Sequence, residues 1–433
     1  MSILLGNAPA NKIASNGLVW TFSGNLAAGT YGRFVTGDWW VVGPVTVNSA
    51  DPAWTGAMNG SMVNPDPAGT TQGYDNRASA GFTYAAGVRT TFPVDLVAGD
   101  SLISVISRDP LTGGSGASRV NKAAVLTVLA SAPASAAFRP PYVAGSKPLW
   151  LTSQVDYTIL PGLAVPSGCT PISMSSQTTY GARVLLHHGN LQTYHVEVMP
   201  TKHTLDTTLT AGYPHEVALE YGRMALHCLT AAADAQVIAN RLIQLGIDLY
   251  ACASSNGDTW SRQAGYGLGR KWPILFAGIM LNDAGMKAPP YYVIGSSGQL
   301  KFQEDSHTYL GDASTPRWGD DCDITDGTFG TSNHTCRSTD GTQDQYATSS
   351  SGQYDLTTSN AFIGPALAAR LLEASEGAQT LWGHTPFFSY TDRWVDTIAA
   401  AGGVNLGSDF AIDANKYGGN GGLFMKRMWE TYR

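Results

Sequence analysis

Up to residue 150 the apolar positions fall in short runs rich in Val, Thr and Trp, broken by Gly, Pro, Asn and Asp. Residues 18–22, 39–47, 90–94, 102–106 and 124–129 read as strands between turns. Few windows in this part carry a 3.6-residue period. The pattern predicts an N-terminal antiparallel β-sandwich over residues 1–130. Trp39 and Trp40 are consecutive, so in a strand they point to opposite faces. Packing against the helical domain is the expected role of the outward ring, with sugar binding as the alternative.

Beyond residue 150 the period changes. Pro214 at a first helical position, followed by Val217, Tyr221, Met224 and Cys228, sets an apolar stripe. Asp234 is placed to cap a second helix that buries Val237, Ile238, Leu242, Leu245 and Leu249. Residues 271–281 are apolar around most of the circumference, as in a central buried helix. Residues 362–374, 386–401 and 423–432 add further helices. Phe387, Tyr390 and Trp394 have the spacing of core positions. Between 289 and 352 helical signals nearly vanish: a strand pair at 291–294 and 300–303 leads into a long polar loop. Loops of that length are usually functional. Residues 131–149, rich in Pro and Ala, read as a linker. The expected fold is therefore α+β and multidomain, a β-sandwich followed at 150–433 by an α/α-toroid-like helical domain.

Composition sharpens this division. Charged residues make up 14% of the 433, against roughly 25% in a typical domain. Residues 1–150 contain no Cys, His or Glu, and their nine Lys/Arg against seven Asp give +2 of the net −7. All nine histidines lie between His187 and His384, so histidine chemistry belongs to the helical part. No Lys/Arg run suggests nucleic-acid binding, and no apolar stretch reaches the roughly 18 residues of a membrane span. The N-terminus has no basic region before its short apolar stretch. The expected setting is nonetheless secreted or periplasmic, the signal peptide being absent from this sequence. Oligomeric state is not readable from it.

Three stretches carry candidate chemistry. In 256–273, glycines accompany Arg262, Tyr266, Arg270 and Lys271 just before the most apolar helix. Arg presents a planar fork to a carboxylate, and a helix N-terminus adds backbone donors. Together they suit an anionic sugar; ordinary ion pairs are the alternative. In 185–197, His187, His188, Asn190, Tyr194 and His195 cluster. β-Elimination at a uronic acid needs a carboxylate neutraliser, a base for the C5 proton and an acid for the leaving oxygen. In 302–309, Glu304, Asp305 and His307 follow a predicted strand; Glu304 or Asp305 could orient a His or act as a general acid. A solvated acidic turn is the alternative. The P-loop, Rossmann and zincin spacings are all absent.

Asp321, Asp323 and Asp326 are spaced loosely like a calcium loop, although not as an EF-hand. They are candidates for a structural calcium, and no cofactor is otherwise required. Cys322 and Cys336 flank a polar loop and are candidates for a disulfide.

The plan resembles secreted polysaccharide lyases of the α/α-toroid kind, the alginate-lyase and heparinase-like families, mainly over residues 150–433. The resemblance implies β-elimination of an acidic, uronic-acid-containing polysaccharide. Asn190, His188, Tyr266 and Arg270 match the family's catalytic residues by type. Arg262, Lys271, Tyr194, His195, Glu304 and His307 are the candidate substrate-binding residues. Here the β-rich part precedes the helices instead of following them, and the Asn-Asn-His run of several alginate lyases is missing. Two other readings stand beside it. One is a glycoside hydrolase using two carboxylates, Asp258 with Glu304 or Asp305. The other is a non-catalytic glycan-binding surface or virion protein.

Overall fold

The computed structural model of the chain describes residues 4–6, 10–67, 71–77, 83–107, 109, 120–171, 214–253, 267–289, 293–294, 299–300, 302–310, 314–318, 354–400 and 421–433. The protein is α+β, with β-sheets first and a helical region after them. Contacts divide it into two compact units. Of the described residues, the first contains those up to Asp156 and those from Ile243 to Ala253; the second contains the rest.

The first unit is built from β1 (Leu4–Leu5), β2 (Ala10–Ser15), β3 (Leu18–Leu26), β4 (Tyr31–Arg33), β5 (Trp39–Val42), β6 (Val45–Asp51) and β7 (Ser61–Val63). Five more strands follow: β8 (Thr71–Gln72), β9 (Thr83–Tyr84), β10 (Val94–Leu96), β11 (Ser101–Ser107) and β12 (Val120–Leu129). A six-stranded sheet runs β1-β4-β5-β12-β11-β7, a four-stranded sheet runs β10-β6-β3-β2, and β8 pairs with β9. The expected antiparallel arrangement is corrected in part. β12 pairs with β5 in parallel, Leu126 opposite Trp39, so the larger sheet is mixed. The β8–β9 pair is parallel too.

One apolar core draws on both large sheets: Ile13, Leu18, Trp20, Phe22 and Val47 from one, Val41, Leu102, Ala124, Leu126 and Val128 from the other. Three of the polar atoms buried beside it satisfy one another, as burial favours. Trp20 Nε1 donates to Ser104 Oγ at 3.0 Å, and Ser104 Oγ lies 2.7 Å from Ser61 Oγ.

The run expected as one strand at 39–47 is two strands in different sheets, β5 and β6, divided at Gly43 and Pro44. Pro44 has no N–H for a ladder, and a Cβ on Gly43 would lie 2.4 Å from Val128 Cγ1. Only glycine lets the chain pass so close to β12 as it changes sheets. Trp40 is buried with Phe34 and Ala137. Trp39 is half-buried against the main core, with the Arg33 guanidinium 4.0 Å from its ring centroid. Trp39 thus packs on the β core of its own unit.

Residues 131–149 form no helix, yet 136–143 are all buried. Arg139 explains this. Its guanidinium makes a bidentate pair with Asp248, at 2.9 and 2.6 Å, and a third bond to Asp38 at 3.0 Å. Gln244 bonds both the N–H and the carbonyl of the same residue. A buried charge needs such compensation, and providing it pins the segment.

The helical part comprises α1 (Pro214–His227), α2 (Ala235–Ala253), α3 (Lys271–Leu281), α4 (Ala284–Lys287), α5 (Gln303–Ser306), α6 (Tyr354–Leu371), α7 (Glu373–Glu376), α8 (Ala378–Trp382), α9 (Thr385–Ala400) and α10 (Gly421–Tyr432). Short strands β13 (Val293–Ile294) and β14 (Gln299–Leu300) pair, as do β15 (Thr308–Leu310) and β16 (Pro316–Trp318). The apolar stripe of α2 is buried at Ile238, Leu242, Leu245 and Leu249, but Val237 is 39% exposed, contrary to expectation. One residue before Ile238 is a rotation of about 100°, enough to leave the buried stripe. Phe387, Tyr390 and Trp394 are core residues. Helices α1 and α6 meet at glycines: a Cβ on Gly364 would lie 2.4 Å from Gly222 Cα. The described helices establish a helical region, and no toroid is shown by them.

Candidate functional site

The described candidates gather at the start of α3. Every residue of this helix is buried, so its first backbone N–H groups need partners inside the protein. Its N-cap residue, Arg270, supplies no side-chain cap. The acceptor comes from the 303–307 turn. Glu304 Oε1 accepts from Gly269 N–H at 2.9 Å and, more weakly, from Lys271 N–H at 3.4 Å. Gln303 Oε1 accepts from Gly267 N–H at 2.5 Å. Gly269 has φ +82, and an added Cβ would lie 2.9 Å from Ala218 Cα and Cβ. Glycine is required there twice over, by conformation and by space.

The charges are arranged as a buried frame. Lys271 Nζ is paired with Asp305 Oδ2. Asp305 Oδ1 accepts from Trp382 Nε1 at 2.8 Å, and Lys271 Nζ also lies 5.1 Å from the Trp382 ring centroid. Arg270 donates to the carbonyl of Leu268. His307 contacts Gln303 Nε2 at 3.2 Å and meets the Trp318 ring edge-on at 5.0 Å. His384 Nε2 is 2.8 Å from the carbonyl oxygen of Thr308. Arg270, Lys271, Glu304, Asp305 and His307 are each no more than 2% exposed. The solvated acidic turn considered for 302–309 is a buried one.

Burial shifts several of these groups. The Glu304 carboxyl is pushed up to about 7, chiefly by desolvation and further by Asp305, against Lys271 and Arg270. Its second oxygen, Oε2, is buried without a hydrogen-bond partner. Burial lowers Arg270 to about 10 despite Glu304. It lowers Lys271 too, against the pull of Asp305, and it lowers His384. A carboxyl that gains its proton near neutrality is a candidate acid or base.

The structure thus brings together Arg270, Lys271, Glu304 and His307. His188, Asn190, Tyr194, His195, Asp258, Arg262 and Tyr266 lie outside the described residues, as do Asp321, Asp323, Asp326, Cys322 and Cys336. The N–H groups of Gly269 and Lys271, considered for an anionic sugar, bond the protein's own Glu304. Among the described residues no three His, Cys, Asp or Glu converge as metal ligands. Among the described residues no helix is long and apolar enough to cross a membrane. Sequence reasoning did not assign Gln303, Trp382 or His384 to this cluster. Gln303 adjoins Glu304, but nothing local ties Trp382 or His384 to a turn some 75 residues earlier.

No known family, curated protein or solved structure matches the chain.

Proposed function

We propose that the chain is a carbohydrate-active enzyme that cleaves an acidic, uronic-acid-containing polysaccharide by β-elimination, with a toroid-like helical domain and a β-sandwich. The supporting observation is the pair of bonds from Gly267 and Gly269 to Gln303 and Glu304. Gly267 directly follows Tyr266, so the chain leaving the proposed catalytic tyrosine is tied to a buried ionic frame. Rigid support of this kind is what a catalytic loop needs, since small misplacements cost rate. In this reading Arg270, Lys271, Glu304 and His307 position the loop. Tyr266, with His188 and Asn190, supplies base, acid and carboxylate neutralisation, and Arg262, Tyr194 and His195 contact the polymer.

The test is incubation with alginate, glucuronan, ulvan and glycosaminoglycans, following the ultraviolet absorbance of the unsaturated uronate product. We expect product from at least one polymer and its loss in Tyr266→Phe. If every polymer that is cut lacks the unsaturated end, elimination is ruled out.

The raised Glu304 carboxyl favours a second reading, the two-carboxylate glycoside hydrolase, with Glu304 as general acid. New reducing ends without the ultraviolet signal, abolished by Glu304→Gln, would establish it.

A further inference from the structure

The four-stranded sheet of the first unit opens between β3 and β6. Their ladder ends at Phe22 opposite Val47, and Thr46 and Val45 of β6 then pair with Asp95 and Leu96 of β10 alone. On the other side of β3 the register jumps from Lys12–Thr21 to Ala10–Leu26. Ser23, Gly24 and Asn25 therefore have no ladder partner on either neighbouring strand. A bulge bends a strand away from its partner, and here the space between the strands is a cavity of about 340 Å³. That volume falls at the lower end of small-molecule sites, roughly 300–1,000 Å³.

The cavity has an apolar and a polar wall. Phe22, Leu26 and Leu96, core residues no more than 7% exposed, border it, and so does Val97, which is 58% exposed. A Cβ on Gly24, another bordering residue, would meet nothing within 4 Å, so the space beside the bulge is open. On the polar side Thr46 Oγ1 donates to Asp95 Oδ1 at 2.6 Å. Asp95 makes no ion pair, and no Lys, Arg or His lines the cavity. Its carboxylate is thus held in place by a neighbour while its second oxygen and its charge stay uncommitted beside apolar surface. Such a wall repels a carboxylate or phosphate, and a neutral hydroxyl leaves the charge uncompensated. An ammonium group compensates it, and a short hydrocarbon body behind that group displaces water from Phe22 and Leu96. Both walls are set by paired strands, so little ordering is needed on binding.

We infer that this cavity binds a small organic ammonium ion, with Asp95 as the counter-charge and Thr46 as the residue that positions it. The inference does not depend on the proposed cleavage chemistry. Saturation-transfer NMR titrations of the full chain with cyclohexylammonium, cyclohexanol and cyclohexanecarboxylate test it, since the three share one body and differ in charge. We expect cyclohexylammonium to bind, cyclohexanol to bind about tenfold more weakly and the carboxylate not to bind. Added salt should weaken the ammonium, because Asp95 is exposed and the pair is screened. Asp95→Asn keeps an acceptor for Thr46 and removes the charge, and should cost the ammonium about tenfold. Gly24→Leu puts a side chain into the open space and should weaken it at least as much. Thermal melting of both variants checks that the fold survives. No binding of cyclohexylammonium, equal binding of the carboxylate, or binding unchanged in either variant would overturn the inference. Ammonium binding that is lost in Asp95→Asn, in a protein that cleaves no polysaccharide, would uphold it while the proposed function failed.

Discussion

Glu304 caps a helix it does not belong to: its Oε1 accepts the N–H of Gly269 at 2.9 Å, two residues before α3 begins. The same side chain leaves Oε2 unbonded in the interior. One carboxyl thus both completes a helix terminus and stores an unmet polar atom. That combination makes its protonation state a property of the fold.

The first prediction concerns pH. Burial raises Glu304 from 4.5 to about 7, so the folded protein keeps a proton that the unfolded chain releases. Stability from this group is full below 4.5 and is lost as pH rises through about 7. Glu304→Gln keeps an amide oxygen for Gly269 and removes the titration. We expect its melting temperature to vary less over that window than the wild type's. Parallel profiles would show that Glu304 does not titrate there.

The Lys271–Asp305 pair is buried on both sides. Removing one partner strands the other, typically at about 3–5 kcal/mol. Lys271→Met should therefore be strongly destabilising in urea titrations, and Lys271→Met with Asp305→Leu should recover part of the loss. Additive losses would mean that the pair is uncoupled.

Gly364 and Gly222 are expected to respond unequally to alanine. A Cβ at Gly364 meets Gly222 backbone at 2.4–2.6 Å, whereas one at Gly222 meets its neighbours at 3.2–3.4 Å. Gly364→Ala must part α1 from α6, a cost of about 1–3 kcal/mol or more. Gly222→Ala should cost clearly less. Denaturation midpoints of the two variants check the order.

In the first unit, Arg139→Lys is not conservative. A lysine cannot reproduce the fork that holds both oxygens of Asp248 and still reaches Asp38. We expect a loss of at least about 2 kcal/mol, since bonds to charged groups contribute roughly 1.5–3 each. Proteolysis within 136–143, now buried, should rise in the variant. An unchanged denaturation midpoint would contradict this account of the network.

Local patterns reached the elements they encode. The runs at 102–106 and 124–129 lie within β11 and β12, and the 271–281 helix matches α3, because period and side-chain type act over a few residues. The run at 39–47 failed where a local reading must fail. Nothing in it says that β5 joins one sheet and β6 the other; the approach of β12 to Gly43 decides that. The candidate site was legible as two separate stretches, 262–271 and 304–307, each with charges of the right type. That Glu304 would cap α3, and that Asp305 would neutralise Lys271, depends on packing that joins segments more than 30 residues apart.

By itself, then, the sequence determined that strands come first and helices after, and that ionisable side chains stand together at Arg270 and Lys271 and at Glu304, Asp305 and His307. Only the tertiary structure decided what those charges do. Excluded from water, they must satisfy one another, so the cationic loop leading into α3 meets Glu304 and Asp305 of the same chain.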